Sequence, residues 1–162
     1  MTRKLYYDDA YTQRFEAQVL DVQNRADGPW LALDRTAFYP TGQPHDEGTL
    51  TAGDVSANVT DVLADGEGRI WHKVDTLLPQ GARVQGHIDW ARRYDHMQQH
   101  GGEHILAGSA KLLFDGFTHG LHIGRDISTI DITMPDGRTR LTDEELTQLE
   151  TLANERGQTN AP

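Results

Sequence analysis

The stretch DWARRYDHMQQHGGEHILAGSAKLLFDG, residues 89–116, marks where the character of the chain changes. It contains no proline, and Asp89 stands where a helix N-cap belongs. Lys111 suits the negative end of a helix dipole, and Asp115-Gly116 supplies a stop. The pattern predicts one long helix from Trp90 to about Phe114. Within it His96, His100 and His104 recur every four residues, with Gly101 and Gly102 between the last two.

Upstream the reading is different. Phe15–Val22, Trp30–Leu33, Ala57–Leu63, Arg69–Val74 and Ala82–Ile88 read as short strands. Asp27-Gly28-Pro29, Asp46-Glu47-Gly48, Ala52-Gly53-Asp54, Asp65-Gly66-Glu67-Gly68 and Leu78-Pro79-Gln80-Gly81 are turn signals. Strands at that spacing, with no helical period, predict a small β-barrel or sandwich. Downstream, Phe117–Ile123 and Ile127–Thr133 read as a hairpin joined at Gly124-Arg125-Asp126. Thr142 and Glu145 then form a capping box, with Leu141 and Leu146 at the staple positions. Leu146, Leu149, Leu152 and Ala153 give that second helix an apolar stripe, and Gly157 is its expected end. The elements alone give short strands up to Ile88, followed from Asp89 by two helices and a hairpin, with barrel and sandwich both open for the first part.

Composition narrows the chemistry. The 162 residues contain no cysteine, so disulfides and thiolate metal sites are excluded, and any zinc would need His, Asp, Glu or water. The formal net charge is −10, shared equally by residues 1–88 and 89–162, so neither half is a basic domain. Nonspecific nucleic-acid binding is disfavoured, because it rests on Lys and Arg displacing counterions; a local patch is not excluded. No apolar run reaches the roughly 18–20 residues of a membrane span, and the N-terminus lacks a signal-peptide core. Expectation therefore places the chain in the cytoplasm, with no membrane partner.

Residues four apart share a helix face about 6 Å apart along the axis. Two histidines at that spacing can reach one ion at about 2 Å. Three in a row span about 12 Å, too far for one ion to hold all of them. Each glycine inside a helix costs about 1 kcal/mol relative to Ala, so Gly101, Gly102 and Gly108 ask for a reason such as close backbone approach. Placing Met97, Gly101, His104, Ile105, Gly108 and Leu112 on an inward face favours His100–His104 as the pair. Gly101 follows His100 where a zincin has Glu, so that reading fails. H-x-x-x-H by itself fits a metal pair or a His-rich helix at the edge of a core.

Four segments together resemble the editing domains of alanyl-tRNA synthetases and the free-standing alanyl-tRNA editing proteins of the AlaX type. They are Thr36-Ala37-Phe38-Tyr39-Pro40-Thr41-Gly42-Gln43-Pro44-His45-Asp46-Glu47-Gly48, the helix Arg92–Leu106, the run His122-Ile123-Gly124 to Ser128-Thr129-Ile130-Asp131-Ile132, and Leu141-Thr142-Asp143-Glu144-Glu145. Their order and spacing hold from about residue 5 to 155. The resemblance implies an α+β fold, with a β-barrel-like subdomain over residues 1–88 followed by an α+β editing subdomain over 89–162 that carries the long His-bearing helix and a β-hairpin. It implies hydrolysis of tRNA(Ala) mischarged with serine or glycine. It implies Zn2+ held by His100 and His104, with a downstream Cys-x-x-x-His pair completing the shell, the ion orienting a water or the amino group and polarising the carbonyl. Gly42, Gln43, Gln98, Arg92 and Arg93 stand as substrate- or tRNA-binding residues; no catalytic residue is singled out. Glu103 reads as a solvated helix charge.

The chain departs from the family in two ways. Only Gly42 precedes Gln43, so the glycine-rich motif is about two residues short. No Cys-x-x-x-His follows, and His119 and His122, three apart on one strand, read as ordinary strand residues or substrate contacts. Three readings follow. One is a trans-editing hydrolase. Another is a truncated, catalytically weak or inactive relative that binds tRNA or protein, or forms homo-oligomers, through the face that the missing strands leave open. The last is a fragment of a longer protein.

Overall fold

Two strands too long for one partner each organise the first half of the chain. In the computed structural model, which describes residues 1–40, 45–124 and 127–159, β2 (Arg14–Arg25) and β6 (Val55–Ala64) each serve two neighbours. β2 pairs through Arg14–Gln18 with β8 (Arg83–Ile88), and from Val19 onward with β3 (Gly28–Leu33). β6 pairs first with β5 (Gly48–Ala52) and then with β7 (Ile70–Val74). In both strands the register shifts at the change of partner, between Val19 and Asp21 and between Val59 and Asp61. Such bulges bend and twist a strand, which lets a six-stranded sheet close on itself. The barrel order is β2-β3-β7-β6-β5-β8, antiparallel throughout. Two short strands, β1 (Arg3–Lys4) and β4 (Arg35–Thr36), pair in parallel beside it.

Alternation fills the interior. Phe15, Ala17 and Val19 of β2, Val84 and Ile88 of β8, and Leu31 and Leu33 of β3 are buried, while Glu16, Gln18, Arg83 and Gln85 between them are exposed. Gly86 is required by this packing: a Cβ there would lie 2.3 Å from the Phe15 ring. Trp30, Ala32 and Trp71 form a separate small cluster, with the Arg25 guanidinium over both indoles at 4.6 and 5.1 Å. Gly48–Ala52 is a barrel strand that the turn signals on either side hid; Gly48 sits at φ +156° and a Cβ would meet the His87 carbonyl at 2.1 Å.

One polar group lies in the core. His72 is fully buried. Its Nδ1 faces the Leu31 carbonyl at 3.1 Å, its Nε2 faces Thr36 Oγ1 at 2.8 Å, and Thr36 Oγ1 accepts from the Phe38 N–H at 3.0 Å. A carbonyl cannot donate, so Nδ1 carries the proton and Nε2 accepts from the Thr36 hydroxyl. Desolvation disfavours the imidazolium and pushes the pKa down to about 4. The network satisfies every polar atom only with a neutral ring.

The chain divides into two compact units, Met1–Tyr94 and Asp95–Pro162. The helix α1 (Trp90–Phe114) begins in the first, where Asp89 Oδ1 accepts from the Arg92 N–H at 3.2 Å. The second unit holds the rest of α1, the hairpin β9 (Phe117–His122) and β10 (Thr129–Thr133), and α2 (Asp143–Gln158). The α2 capping box forms as the sequence predicts, while the helix runs through Gly157 to Gln158. Arg138 grips Glu145 with two hydrogen bonds of 2.7 Å, and this holds the Glu145 carboxyl below its usual range. Apolar burial in this unit is sparse: Ala110, Ile123, Met134 and Leu149 are buried, but Leu112, Phe117, Leu121, Ile127 and Leu146 are 45–73% exposed. A cleft of about 600 Å³ runs past Leu106, Ile130, Ile132, Leu146 and Leu149.

Candidate functional site

The periodicity of α1 brings His100 and His104 together. Their Nε2 atoms are 3.0 Å apart, with ring centroids at 4.6 Å and planes tilted by 33°. Both residues are exposed. Two bare lone pairs repel at that distance, so either one ring donates an N–H to the other or both address a third body. Two ligands on one tetrahedral zinc, each about 2.0–2.1 Å from the ion, stand about 3.3 Å apart. The observed 3.0 Å is the length of a ring-to-ring hydrogen bond and a little shorter than that spacing. Among the described residues no group of three or more His, Asp or Glu is placed to hold a metal ion. His119, His122 and Asp131 are all exposed on the hairpin. Two donors do not close a shell.

The inward face of α1 is not the one the glycines indicate. Gly101, His104, Gly108 and Leu112 are exposed, and a Cβ at Gly101, Gly102 or Gly108 would meet nothing within 4 Å. Met97 and Ile105 are half-buried. Gln99, Glu103, Leu106 and Ala110 form the covered stripe instead, at the same helical spacing. Glu103 is consequently buried at 7% exposure rather than solvated, and neither carboxylate oxygen has a hydrogen-bond partner. Gln99 accepts from the Ser128 hydroxyl and donates to Asp95 at 2.8 Å, tying α1 to the start of β10. Sequence reasoning misassigned Glu103 because it took glycine as a mark of close approach, and these glycines face open space.

In the first unit the conspicuous feature is a buried ion pair. Arg93 and Asp46 are 6% and 3% exposed. Arg93 Nε donates to Asp46 Oδ1 at 2.7 Å, and one terminal nitrogen donates to Oδ2. The guanidinium also donates to the Ala37 carbonyl at 2.7 Å and the Ala10 carbonyl at 3.1 Å. Asp46 further accepts from the Tyr39 N–H. Arg93 thus ties the first turn of α1 to the segments on both sides of the glycine-rich motif, and its interactions are internal. Arg92 is half-buried, donating to the His45 carbonyl at 3.2 Å and pairing with Glu47 at 3.4 Å. Gln98 is exposed. Gly42 and Gln43 lie outside the described residues. Sequence reasoning had no signal for Asp46 as the partner of Arg93, since 47 positions separate them.

Comparison with known proteins places these features in a lineage. Residues 3–92 match the family of class II (A) tRNA synthetases. The chain is 40% identical over 159 residues to an alanine–tRNA ligase of Pyrococcus abyssi, a match covering 94% of this chain and 16% of the ligase. It is 37% identical over 137 residues to the alanyl-tRNA editing protein AlaX-L of Pyrococcus horikoshii, covering 82% of this chain and 34% of that protein. With the AlaX-M protein of the same organism it shares 44% identity over 110 residues, covering 65% of this chain and 47% of that one. The chain spans about one sixth of the length of the ligases it matches. With a six-stranded barrel, the histidine helix and these relatives in view, the chain belongs to the alanyl-tRNA synthetase-type editing domain family.

Proposed function

We propose that the chain edits tRNA(Ala) in trans in the cytoplasm, hydrolysing the ester of wrongly attached serine or glycine. The convergence of the His100 and His104 Nε2 atoms on an exposed ridge carries this reading. An aminoacyl ester is already activated, so the site needs to position water and substrate more than it needs a strong base. Zinc held by the two imidazoles would supply a Lewis acid for the ester carbonyl. The names of the AlaX relatives support the same substrate class. The test is release of serine from Ser-tRNA(Ala), with and without added zinc, by the folded chain and by His100→Ala. Turnover abolished by the substitution is the expected result; a folded chain that releases no serine under any condition counts against the reading.

A second reading is a binding module without turnover. It is favoured by the absence of a third metal donor among the described residues and by the apolar surface of the second unit. It predicts tRNA binding or self-association with no hydrolysis.

A further inference from the structure

Three aromatic rings of the first unit stand in a row at its surface. Tyr11 packs on Trp90 with centroids 5.6 Å apart, and Trp90 packs on Tyr94, one helical turn on, at 5.8 Å. The planes are tilted by 47° and 32°. Tyr11 is 60% and Tyr94 43% exposed, and Trp90 is half-buried. Large aromatics in a row at a surface are costly to leave bare unless something covers them. The ladder is also held in place. Arg93, between Trp90 and Tyr94 in the helix, donates to the carbonyl of Ala10, the residue before Tyr11. The Tyr11 N–H is held by Asp9 at 2.9 Å. A platform fixed by buried contacts loses little freedom when a ligand stacks on it.

We propose that Tyr11, Trp90 and Tyr94 form a stacking platform for unpaired nucleotides, those at the single-stranded 3′ end of the tRNA. The proposal rests on the tRNA-editing reading and adds a binding site to it. Every base has a π-face, and rows of exposed aromatics are how proteins hold single strands without reading sequence. One cation stands close by in the sequence. Arg14, three residues past Tyr11, is exposed and has no ion-pair partner among the described residues. The nearby acids make contacts within the unit, although only Asp8 is neutralised by an ion pair. Asp9 caps Tyr11 and Thr12, Asp8 pairs with Arg3 at 3.0 Å, and Asp89 caps α1.

The chain carries its own reporter. Of its three tryptophans, Trp30 and Trp71 are 2% and 3% exposed, so a bound base can quench only Trp90. The experiment titrates the full chain with an unstructured single-stranded RNA hexamer and, separately, with an RNA hairpin duplex. Saturable quenching by the single strand, stronger than by the duplex, is expected. Tyr11→Ala and Tyr94→Ala should each weaken binding roughly tenfold, with Tyr11→Phe close to the parent. Trp90→Phe should abolish the quench while labelled RNA still binds by anisotropy. With a mischarged tRNA, Tyr11→Ala should raise KM and leave kcat unchanged. Unaltered Trp90 emission at high RNA concentration, equal binding of duplex, or self-association that Tyr11→Ala abolishes would each overturn the platform. Single-strand binding without serine release would sink the hydrolytic reading alone. Serine release without single-strand binding would sink the platform alone.

Discussion

Asp46 and Arg93 are the residues whose replacement should hurt the first unit most. Their charges are buried against each other, and removing one strands the other. Arg93→Met or Asp46→Leu is expected to destabilise the chain by about 3–5 kcal/mol in denaturant titrations. A loss under about 1 kcal/mol would mean that water reaches the pair. The glycines of α1 should behave in the opposite sense. Gly101→Ala and Gly102→Ala, with open space at each Cβ, are expected to stabilise by about 0.5–1 kcal/mol apiece, read as a rise in Tm. Activity would then say whether a substrate uses that bare backbone: stabilised but slower variants place it there. At this scale the sequence made the His100–His104 pairing legible, because helical spacing alone decides which side chains meet. It hid the burial of Glu103 and the Arg93–Asp46 pair. The first depends on which flank of α1 the hairpin covers, and the second joins positions that only the closed barrel brings together.

Among the elements, β7 carries the pH response. His72 of β7 is neutral in the folded chain, with a pKa of about 4 against an ordinary value near 6.5. The folded state therefore binds fewer protons than the unfolded one between these values. Stability is complete above pH 6.5 and declines as pH falls toward 4, by about 3 kcal/mol in all. Asp27, Asp65 and Asp75 are held below the usual carboxylate range, mainly by hydrogen bonds from the Trp30 indole, the Trp71 indole and the Asn58 side chain. Their contribution is lost only at lower pH, so the two windows separate. Melting curves of the parent and His72→Gln at pH 7, 5.5 and 4.5 check this. The variant should be less stable at pH 7 and lose the slope between 6.5 and 4; a parallel decline would show that His72 is not its source. The strand pattern of the barrel was largely legible, since alternation is a local signal. Gly48–Ala52 was missed because its ends read as turns, and its pairing with β8 and β6 is a product of closure.

For the whole molecule, the two units differ in how well they are built. The first has a continuous core of sixteen buried residues, including Phe38, Leu50 and Ile88. The second buries few apolar side chains and leaves large ones bare. Native-state hydrogen exchange should therefore show the barrel amides opening only globally, and the amides of β9, β10 and α2 exchanging orders of magnitude faster. Comparable protection in both would show that the second unit is covered in solution. The account as a whole depends on the His100–His104 pair being a metal half-site. Zinc titration of the purified chain, followed by the imidazole NMR signals of these two residues, tests it most directly. One ion per chain, shifting both rings and lost in His100→Ala and His104→Ala, is the predicted result. Zinc that leaves both rings unmoved, or binds equally to the two variants, would contradict it.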